Sequence, residues 1–498
     1  MSVNTEQIKE WSTARIKQSQ VERYMKNGKD FIDDGHILSK LNECKHADKK
    51  RIRDIIAKSL NVEILSLDET AYLLNVQDTE LIQEMQDAAL LIKKKVYDNR
   101  IVTFAPLYLG NFCVNDCLYC GFRKSNKESK RRVLTLDEVK KETEVLAGEI
   151  GHKRLIVVYG EHPNNDIDYM IDSIKAIYSV NVKTKHGFGS IRRVNVNAPP
   201  LSIEELTRLH EAGIGTYQVF QETYHHKTYE TVHPRLTIKG DYKWRLYSMH
   251  RAQEAGVDDV GLGVLFGLYD WRFEVMGLVA HSRALEEAFG IGPHTISFPR
   301  LEPAANAPLT ITSKYKVSDD DFKKLITVIR LAVPYTGMII TARETAQIRR
   351  ESLPLGITQT DASTRIGIGA YAEKKPQQQD DKQQFILGDI RSLDEVIGEF
   401  ASMGYISSFC TAGYRCGRTG KCIMDLLRSG QEGRFCKLNA VLTFREWLDD
   451  FASEDTKKVS GPVIQYEIAQ IKQQMPKTFP QFIKYYERIK NGERDLYF

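Results

Sequence analysis

The sequence predicts an α/β fold of the (β/α)8 barrel class, TIM-type, with helical extensions at both ends, and three observations support this. Between about residues 96 and 372, short apolar runs alternate about eight times with amphipathic helical segments. Eight such units suit a closed barrel better than an open doubly wound sheet, which usually has fewer strands. The chain of 498 residues is 42% hydrophobic and 27% charged, a balance typical of a globular protein with a sizeable core.

The first part of the chain, residues 1–95, is predicted to be a helical extension. Apolar residues are spaced by three and four in DETAYLLNVQDTELIQEMQDAALLIKKKVYD, which ends just before the first apolar run. A segment of this kind buries one face and leaves the other in water. We therefore expect it to pack as a helical cap against the domain that follows.

The predicted barrel, residues 96–372, is built from strand runs that are each followed by a helical candidate. The helical candidates include TLDEVKKETEVLAGEI, SIEELTRLHEAG and SDDDFKKLITVIRLAVP. Gly213, Gly256 and Gly290 follow helical segments, as expected of helix stop signals, and Pro334 ends another helix. The predicted strand runs are IVTFAPLYL, RLIVVYG, IRRVNVN, GTYQVFQ, DDVGLGVLFG, HTISFPR, GMIITAR and LGITQT.

The last part of the chain, residues 373–498, is predicted to be a helical C-terminal domain. It opens with EKKPQQQDDKQQF, residues 373–385, which is rich in Gln and lacks apolar anchors. This stretch is therefore interpreted as an exposed linker or loop. The segments SLDEVIGEFASMGY and VIQYEIAQIKQQM beyond it again have helical spacing.

Charge and hydropathy argue against nucleic acids and membranes as partners. The 70 Lys and Arg residues nearly balance the 66 Asp and Glu residues, so the net charge of +4 gives no basic footprint for a phosphate backbone. No run of about 18 apolar residues occurs, and the first residues do not resemble a secretory signal. A cytoplasmic location is expected.

The eight cysteines fall into groups, with Cys44 alone standing apart. In a reducing compartment, clustered cysteines are more often metal ligands or redox groups than disulfides. One group follows the first strand run and the other lies near the C-terminus. The groups are Cys113, Cys117 and Cys120, and Cys410, Cys416, Cys422 and Cys436.

The first group forms a Cys-x3-Cys-x2-Cys motif in NFCVNDCLYCGF. No fourth Cys or His lies nearby to complete a tetrahedral zinc site. Three thiolates on a cluster of four irons would leave one iron open to bind a small molecule. A zinc site completed from elsewhere in the chain and a chance group of thiols remain alternatives at this point.

With Tyr119 directly before the third cysteine, this motif resembles the Cys-x3-Cys-x-aromatic-Cys signature of radical S-adenosylmethionine (SAM) enzymes. The resemblance implies a 4Fe–4S cluster held by Cys113, Cys117 and Cys120. It also implies that the open iron binds the amino and carboxylate groups of SAM. One electron then cleaves the sulfonium to methionine and a 5′-deoxyadenosyl radical.

Further segments resemble one group within that superfamily, the tyrosine lyases, which comprise the 2-iminoacetate synthases (ThiH) and the FeFe-hydrogenase maturase family HydG. These segments are YGEHP, QVFQETYHHKTYETVHP, ISFPRLEPA and DASTRIGIGAY, while the tail SFCTAGYRCGRTGKCIMDLLRSGQEGRFCKLNA resembles HydG. The likeness covers most of the chain after about residue 60. It implies that the Cα–Cβ bond of L-tyrosine is cleaved to p-cresol and dehydroglycine, from which HydG goes on to make carbon monoxide and cyanide on iron for the hydrogenase cofactor.

Five residues take roles from this resemblance. Gly160 and Glu161 match the motif that contacts the methionine amino group, and Glu222 is expected near the cofactor at the barrel mouth. Arg245 matches the arginine that pairs with the SAM carboxylate, and Arg343 matches the catalytic-site arginine that holds the α-carboxylate of the substrate. A capping acid, a structural carboxylate and surface arginines are the ordinary alternatives for the same residues.

The resemblance also implies an auxiliary iron–sulfur cluster with a labile iron near the C-terminus. Cys410 and Cys436 stand at the first and third positions of the ligand motif of the HydG family. His281 matches the histidine that binds the labile iron, whereas a lone histidine on a helix is more often packed or solvated.

At the second ligand position this chain departs from the family, because Gly413 stands where a cysteine is expected. Glycine cannot bind iron. Either Cys416 or Cys422 replaces the missing thiolate, or the auxiliary cluster is degraded or absent. Both cysteines could equally be free thiols.

Three functions follow from these alternatives. The first is a HydG-like tyrosine lyase, served by an electron donor such as flavodoxin or ferredoxin and delivering an iron product to a hydrogenase-maturation scaffold protein. The second is a stand-alone 2-iminoacetate synthase without the auxiliary reaction. A non-catalytic iron–sulfur scaffold is the third, and it is disfavoured because a carrier needs no glutamate and arginines around its cluster.

Overall fold

Parallel strands close into a barrel at the centre of the computed structural model, which describes residues 5–46, 48–373, 383–418, 420–428 and 432–498. Each barrel strand pairs with the next, and the last pairs back with the first, so the predicted (β/α)8 barrel is confirmed. Every predicted strand run contains or overlaps one barrel strand. The strands are β1 (Arg100–Gly110), β2 (Arg154–Tyr159), β3 (Arg193–Asn197), β4 (Tyr217–Gln218), β5 (Val260–Gly263), β6 (Thr295–Ser297), β7 (Gly337–Ile340) and β8 (Gln359–Asp361).

The long strand β1 has three parallel partners along its length. Its first residues pair with β9 (Ile406–Ser408), a strand that the C-terminal region adds to the sheet. Its middle pairs with β8 and its second half with β2. The register shifts between Tyr108 and Gly110, where a bulge redirects the end of the strand. The chain beyond this bulge carries the first cysteine group.

Helices cover the outside of the barrel because one face of each is apolar. Several begin at the capping residues that the sequence provides, such as the capping boxes at Thr135 and Ser202. Short 3-10 turns occur at Pro163–Asn165, Ile238–Gly240 and Leu353–Leu355, and a two-stranded hairpin pairs Val182–Lys183 with Phe188–Gly189. The helices are Leu136–Glu144 with its π-helical end Val145–Ile150, Ile167–Ser179, Ile203–Glu211, His226–Val232, Tyr242–Leu246, Ser248–Glu254, Trp271–Phe289, Leu309–Thr312, Asp319–Ala332 and Ala346–Ser352.

The N-terminal region is helical up to the start of the barrel. Its longest helix, Thr79–Tyr97, packs against the barrel helix Asp319–Ala332. Within it Lys93 is buried, donates to the carbonyl of Leu353 over 2.9 Å and faces the ring of Tyr405. The other helices are Thr5–Arg15, Ser19–Glu22, Asp34–Glu43, Lys49–Leu60 and Leu67–Asn75.

The C-terminal region is joined to the barrel by β9 and by a buried ion pair. Glu446 accepts from Lys153 over 2.7 Å and from Arg192, and all three side chains are buried. Burial alone would raise the pKa of Glu446, but the two cations hold it well below its ordinary value. The helices here are Leu393–Ser402, Ala412–Arg415, Gly420–Arg428, Glu432–Phe451, Glu454–Gln474 and Phe479–Lys490. Within the described ranges, no helix has the length and apolar character needed to cross a membrane.

Candidate active site

One cavity, with a volume of about 210 Å³, opens at the carboxyl ends of the barrel strands. Every strand, or the loop that follows it, contributes to the lining, as is usual for the active face of this fold. All the residues predicted for the SAM-binding and substrate site reach it. They are Cys113, Cys117, Tyr119, Cys120, Gly160, Glu161, Glu222, Arg245 and Arg343.

The loop that carries the three cysteines is fixed by Arg131, a residue that the sequence analysis did not select. The loop leaves β1 at Gly110 and returns through a bridge between Gly110 and Val133. The guanidinium of Arg131 donates to the backbone carbonyls of Asn111 and Phe122 over 2.7 and 2.8 Å. It also donates to the carbonyl of the residue after Phe122 and to a fourth backbone carbonyl of the same loop. A single forked side chain therefore closes the loop around the thiols.

The three thiols line the cavity wall, where Cys117 is buried and Cys113 and Cys120 are partly buried. Burial raises the pKa of each thiol, and that of Cys117 reaches about 11. Within the described parts of the chain, no three His, Cys, Asp or Glu side chains converge on a point suitable for a single metal ion. A cluster needs a different arrangement, in which each thiolate meets its own iron. The donor set therefore suits an iron–sulfur cluster better than the zinc alternative.

Tyr119 lies in the cavity wall between the second and third cysteines. Its hydroxyl is 2.8 Å from Nε2 of His233, and both side chains are buried. The amide of Leu118 donates to the carbonyl of Val232, just before that histidine. These contacts hold the cysteine loop against the segment that follows the helix His226–Val232.

Asn115, within the cysteine motif, connects three parts of the site and was missed in the sequence analysis. Its Nδ2 donates to Oε2 of Glu161 over 2.6 Å and lies 3.7 Å from Sγ of Cys113. Its Oδ1 accepts from the backbone amide of Lys239 over 2.9 Å. The amide therefore positions the first cysteine, the predicted amino-binding glutamate and a lysine relative to one another.

Gly160 and Glu161 lie where β2 meets the cysteine loop. A Cβ at Gly160 would lie 2.2 Å from the carbonyl oxygen of Phe112, so only glycine permits this approach. The amide of Val114 donates to the Glu161 carbonyl over 2.8 Å. The side-chain Oε1 of Glu161 is buried without a hydrogen-bond partner among the described residues, and burial raises the pKa of this carboxyl. A buried acceptor that faces the cavity fits the ammonium group of SAM.

Glu222 is buried between two cations at the cavity wall. Its Oε1 accepts from Nζ of Lys239 over 2.7 Å and from Arg245 over 3.2 Å. Although burial alone would raise it, Lys239 and Arg245 hold the pKa of Glu222 below its ordinary value. The Arg245 guanidinium also donates to the carbonyl of Phe220. The sequence analysis missed Lys239, because no sequence motif identifies it.

The backbone at Glu222 is left-handed, with φ of 72°, which a non-glycine residue rarely adopts. The next two residues are held by Glu274 from the helix Trp271–Phe289: its carboxylate accepts from the Thr223 hydroxyl and, over 2.8 Å, from the Tyr224 amide. Burial raises the pKa of Glu274 to about 8. This carboxyl, also missed in the sequence analysis, fixes the unusual conformation.

Arg343, the predicted substrate-binding residue, follows β7 and lies in the cavity wall. Its guanidinium carbon lies 3.3 Å from the ring centre of Phe385. Beside that ring, Gln384 lies 3.4 Å from Sγ of Cys120. The prediction of an exposed linker over residues 373–385 is therefore wrong for its last residues, which line the cavity; residues 374–382 lie outside the described part of the chain.

The cysteines predicted to bind the auxiliary cluster lie in the C-terminal region, apart from the first cysteine group. Cys410, with φ of 47°, lies beside the buried guanidinium of Arg154, and Cys436 is half-buried on the helix Glu432–Phe451. The exposed thiol of Cys416 lies 3.5 Å from the carbonyl of Phe498, and Cys422 is also exposed. Gly413 supplies no thiol at the second position, so Cys410 and Cys436 are the two thiols at the expected ligand positions.

No described contact joins His281 to the C-terminal cysteines. It is buried on the helix Trp271–Phe289, where Nδ1 lies 2.9 Å from the Tyr224 hydroxyl. Its ring packs against Phe31 and His250. Burial, with His250 nearby, holds the pKa of His281 well below its ordinary value. This ring lies in an aromatic cluster between the barrel helices and the N-terminal region, and its expected role in binding the labile iron stays a prediction.

Comparisons with known proteins agree with this site. The model of the Radical SAM superfamily matches residues 107–276, and that of the Biotin and Thiamin Synthesis associated domain matches residues 297–406. The 2-iminoacetate synthase of Escherichia coli (strain K12) is 29% identical over 353 residues, covering 70% of this chain and 88% of that protein.

Two solved structures match nearly the whole chain. A crystal structure of HydG, a maturase of the FeFe-hydrogenase, is 48% identical with a TM-score of 0.89, covering 94% of this chain and all of that one. The X-ray structure of HydG from Carboxydothermus hydrogenoformans is 35% identical with a TM-score of 0.74, covering 96% of this chain and all of that one. This chain therefore belongs to the HydG family of radical SAM enzymes.

Proposed function

We propose that the protein is a radical SAM lyase that cleaves the Cα–Cβ bond of L-tyrosine to p-cresol and dehydroglycine. One observation carries the proposal: a single cavity brings the cysteine triad together with Glu161, Arg245 and Arg343. Two arginines and a buried carboxylate suit two amino-acid-like groups, one on SAM and one on the substrate. The 2-iminoacetate synthase relative supports the same reaction class.

Cys113, Cys117 and Cys120 are the residues that would hold the 4Fe–4S cluster. With SAM bound, this cofactor supplies the oxidising radical that starts bond cleavage. Glu161 presents its unpartnered oxygen to an ammonium group, and Arg245 presents a guanidinium to a carboxylate. These two residues carry opposite charges and would together orient SAM.

Arg343 is proposed to bind the tyrosine carboxylate. The Phe385 ring beneath its guanidinium supports the planar group from one side, which leaves its outer edge for a forked contact. The partly buried position of Arg343 strengthens such a contact because water screens it less than at the surface. The substrate amino group would then face the centre of the cavity.

The test uses anaerobically reconstituted full-length protein with SAM, dithionite and L-tyrosine. We expect p-cresol and 5′-deoxyadenosine from the wild type and neither product from a Cys113/Cys117/Cys120 triple alanine variant. The variant Arg343→Met should still produce 5′-deoxyadenosine while its p-cresol falls by at least tenfold, since only substrate binding is removed. A wild type with a full cluster and no p-cresol contradicts the proposal.

Gly413 favours a second candidate, a stand-alone producer of 2-iminoacetate without the auxiliary reaction. The observation that supports it is the missing thiol at position 413, where the family motif has a cysteine. Assaying carbon monoxide and cyanide beside p-cresol separates the two candidates. Carbon monoxide from the wild type would select the HydG-like reaction, with a maturation scaffold protein as the recipient, and either enzyme needs a flavodoxin- or ferredoxin-type reductant.

A further inference from the structure

We propose that the side-chain amide of Gln384 donates a hydrogen bond to the sulfur of Cys120 and raises the reduction potential of the cluster; this inference rests on the proposed function. The Nε2 atom of Gln384 lies 3.4 Å from Sγ of Cys120. Gln384 comes from the segment that precedes the C-terminal helices, far along the chain from the cysteine motif. Gln384 is thus proposed as a positioning residue that acts through Cys120.

The orientation of the amide follows from its second partner. The hydroxyl of Tyr108 donates to Oε1 of Gln384 over 3.0 Å. A cysteine sulfur that binds iron has no proton and can only accept, so it must face the NH2 end of the amide. The oxygen end is then left for Tyr108, which can donate. Both ends of the amide are therefore satisfied in one orientation only.

The backbone of the same segment is fixed on both sides of this contact. The amide of Gly121 donates to the Gln384 carbonyl over 3.0 Å, directly beside Cys120. A Cβ at Gly121 would lie 2.9 Å from that oxygen, so glycine is needed for the approach. Beyond Gln384, the amide of Ile386 donates to the Pro303 carbonyl over 2.9 Å. The side chain therefore extends from an anchored backbone.

A hydrogen bond to a cluster sulfur acts on the potential for an electrostatic reason. Reduction adds one negative charge to the cluster and its thiolates. An N–H group aimed at one of these sulfurs stabilises the reduced form more than the oxidised form. Because Gln384 and Cys120 are both partly buried, water screens this dipole less than it would at the surface. Gln384 would thus make it easier for the electron that initiates SAM cleavage to enter.

Asn115 makes a similar approach to Cys113 at 3.7 Å, but it also bonds Glu161. Substituting Asn115 would disturb the SAM site together with the sulfur contact. Gln384 has no contact with Glu161 or Arg245 among its described bonds, so it separates the two effects. It is therefore the better position for a test.

The experiment is a reductive titration followed by electron paramagnetic resonance, on reconstituted full-length protein with matched iron and sulfide content. In Gln384→Leu the donor is removed at similar volume, and in Gln384→Glu it is replaced by a carboxylate oxygen. We expect both variants to titrate at a more negative potential than the wild type, the glutamate variant most strongly. Gln474→Leu, on an exposed helix surface, is the matched control and should not shift.

Two further results decide the inference. Tyr108→Phe keeps the ring but frees the amide, so its potential should shift in the same direction by less. If the Gln384 variants keep their iron and titrate at the wild-type potential, the inference is overturned, although the wild type still cleaves SAM. If the Gln384 variants lose iron, Tyr108→Phe decides instead, and an unchanged potential in that variant overturns the inference. A wild type that forms no cluster and no 5′-deoxyadenosine contradicts the proposed function instead.

Discussion

Nζ of Lys239 lies 2.7 Å from Oε1 of Glu222, inside the cavity wall and 17 residues along the chain. The contact favours the ionised form of a buried carboxylate beside Arg245. Lys239 also fixes Asn115 through its backbone amide. One lysine therefore links the cysteine motif to the acidic side of the site.

Replacing Lys239 by Met is expected to weaken SAM binding by roughly tenfold or more, since a hydrogen bond between charged groups is worth about 1.5–3 kcal/mol. Glu222 would then be paired with Arg245 alone and would compete with SAM for that guanidinium. Equilibrium binding of SAM to the reconstituted protein measures the effect. Lys239→Arg keeps the charge and should retain most of the affinity. Equal affinities in wild type and Lys239→Met would show that this ion pair has only a structural role.

Gly160→Ala should reduce iron retention and SAM affinity together. The added Cβ would meet the carbonyl oxygen of Phe112 at 2.2 Å, and a backbone atom cannot move aside as a side chain can. The cysteine loop must shift instead. Gly461→Ala is the control, because a Cβ there meets nothing within 4 Å on the helix Glu454–Gln474. Iron content after gel filtration, measured beside SAM binding, checks the prediction, and full iron with normal affinity would contradict it.

The stability of the protein should fall as the pH rises through about 9, because of His226. Burial alone would lower its pKa, but hydrogen bonds to Asp30 and Asp34 raise it to about 9. The folded pKa is above the unfolded value near 6.5, so the contribution is fully present below about pH 6.5 and lost through pH 9. The ring is partly exposed, which limits the effect to about 1 kcal/mol.

Unfolding temperatures between pH 6 and pH 10 measure this contribution. His226→Gln removes the titrating group and should flatten the curve relative to the wild type. Its unfolding temperature should be lower near neutral pH and equal to that of the wild type above pH 10. Parallel curves for the two proteins would assign the pH dependence to other groups.

Gly413→Cys should add an iron-binding site at the C-terminal cysteines. A Cβ at Gly413 would meet its nearest neighbour, the carbonyl oxygen of Arg418, at 3.6 Å, which is ordinary contact distance. The thiol would complete a set with Cys410 and Cys436, as the family motif implies. Iron and sulfide are measured in a background that lacks the first cysteine group. We expect extra iron with Gly413→Cys and none with the control Gly461→Cys; equal iron in both would show that the missing thiolate does not limit cluster binding.

The barrel and its rim could be predicted because they depend on local patterns. Each buried strand run and amphipathic helix is encoded within its own few residues, and parallel strands place their carboxyl ends at one rim. Residues that follow different strands, such as Cys113, Glu161 and Arg343, therefore meet without any further information. Their individual roles came from the resemblance and remain predictions.

The residues that were missed depend on contacts between distant parts of the chain. Lys239, Glu274 and Gln384 have no neighbouring motif, and Gln384 lies in a Gln-rich stretch whose composition suggests exposure. Instead, a hydrogen bond from the backbone amide of Gly121 to the carbonyl of Gln384 holds that residue in the site. The match of His281 to a family ligand was local, and its iron-binding role stays a prediction. Its burial beside Phe31 depends on how the N-terminal helices pack, which no local pattern encodes.

Because Arg100–Val102 of β1 pair with β9, the first strand of the barrel remains incomplete during synthesis until Ser408 has left the ribosome. Until then its backbone amides and carbonyls form an open edge that can pair with another chain. A protein truncated at residue 372 would keep this edge permanently, and we expect it to self-associate. We therefore expect the C-terminal region to protect the barrel from aggregation, whatever chemistry its cysteines perform.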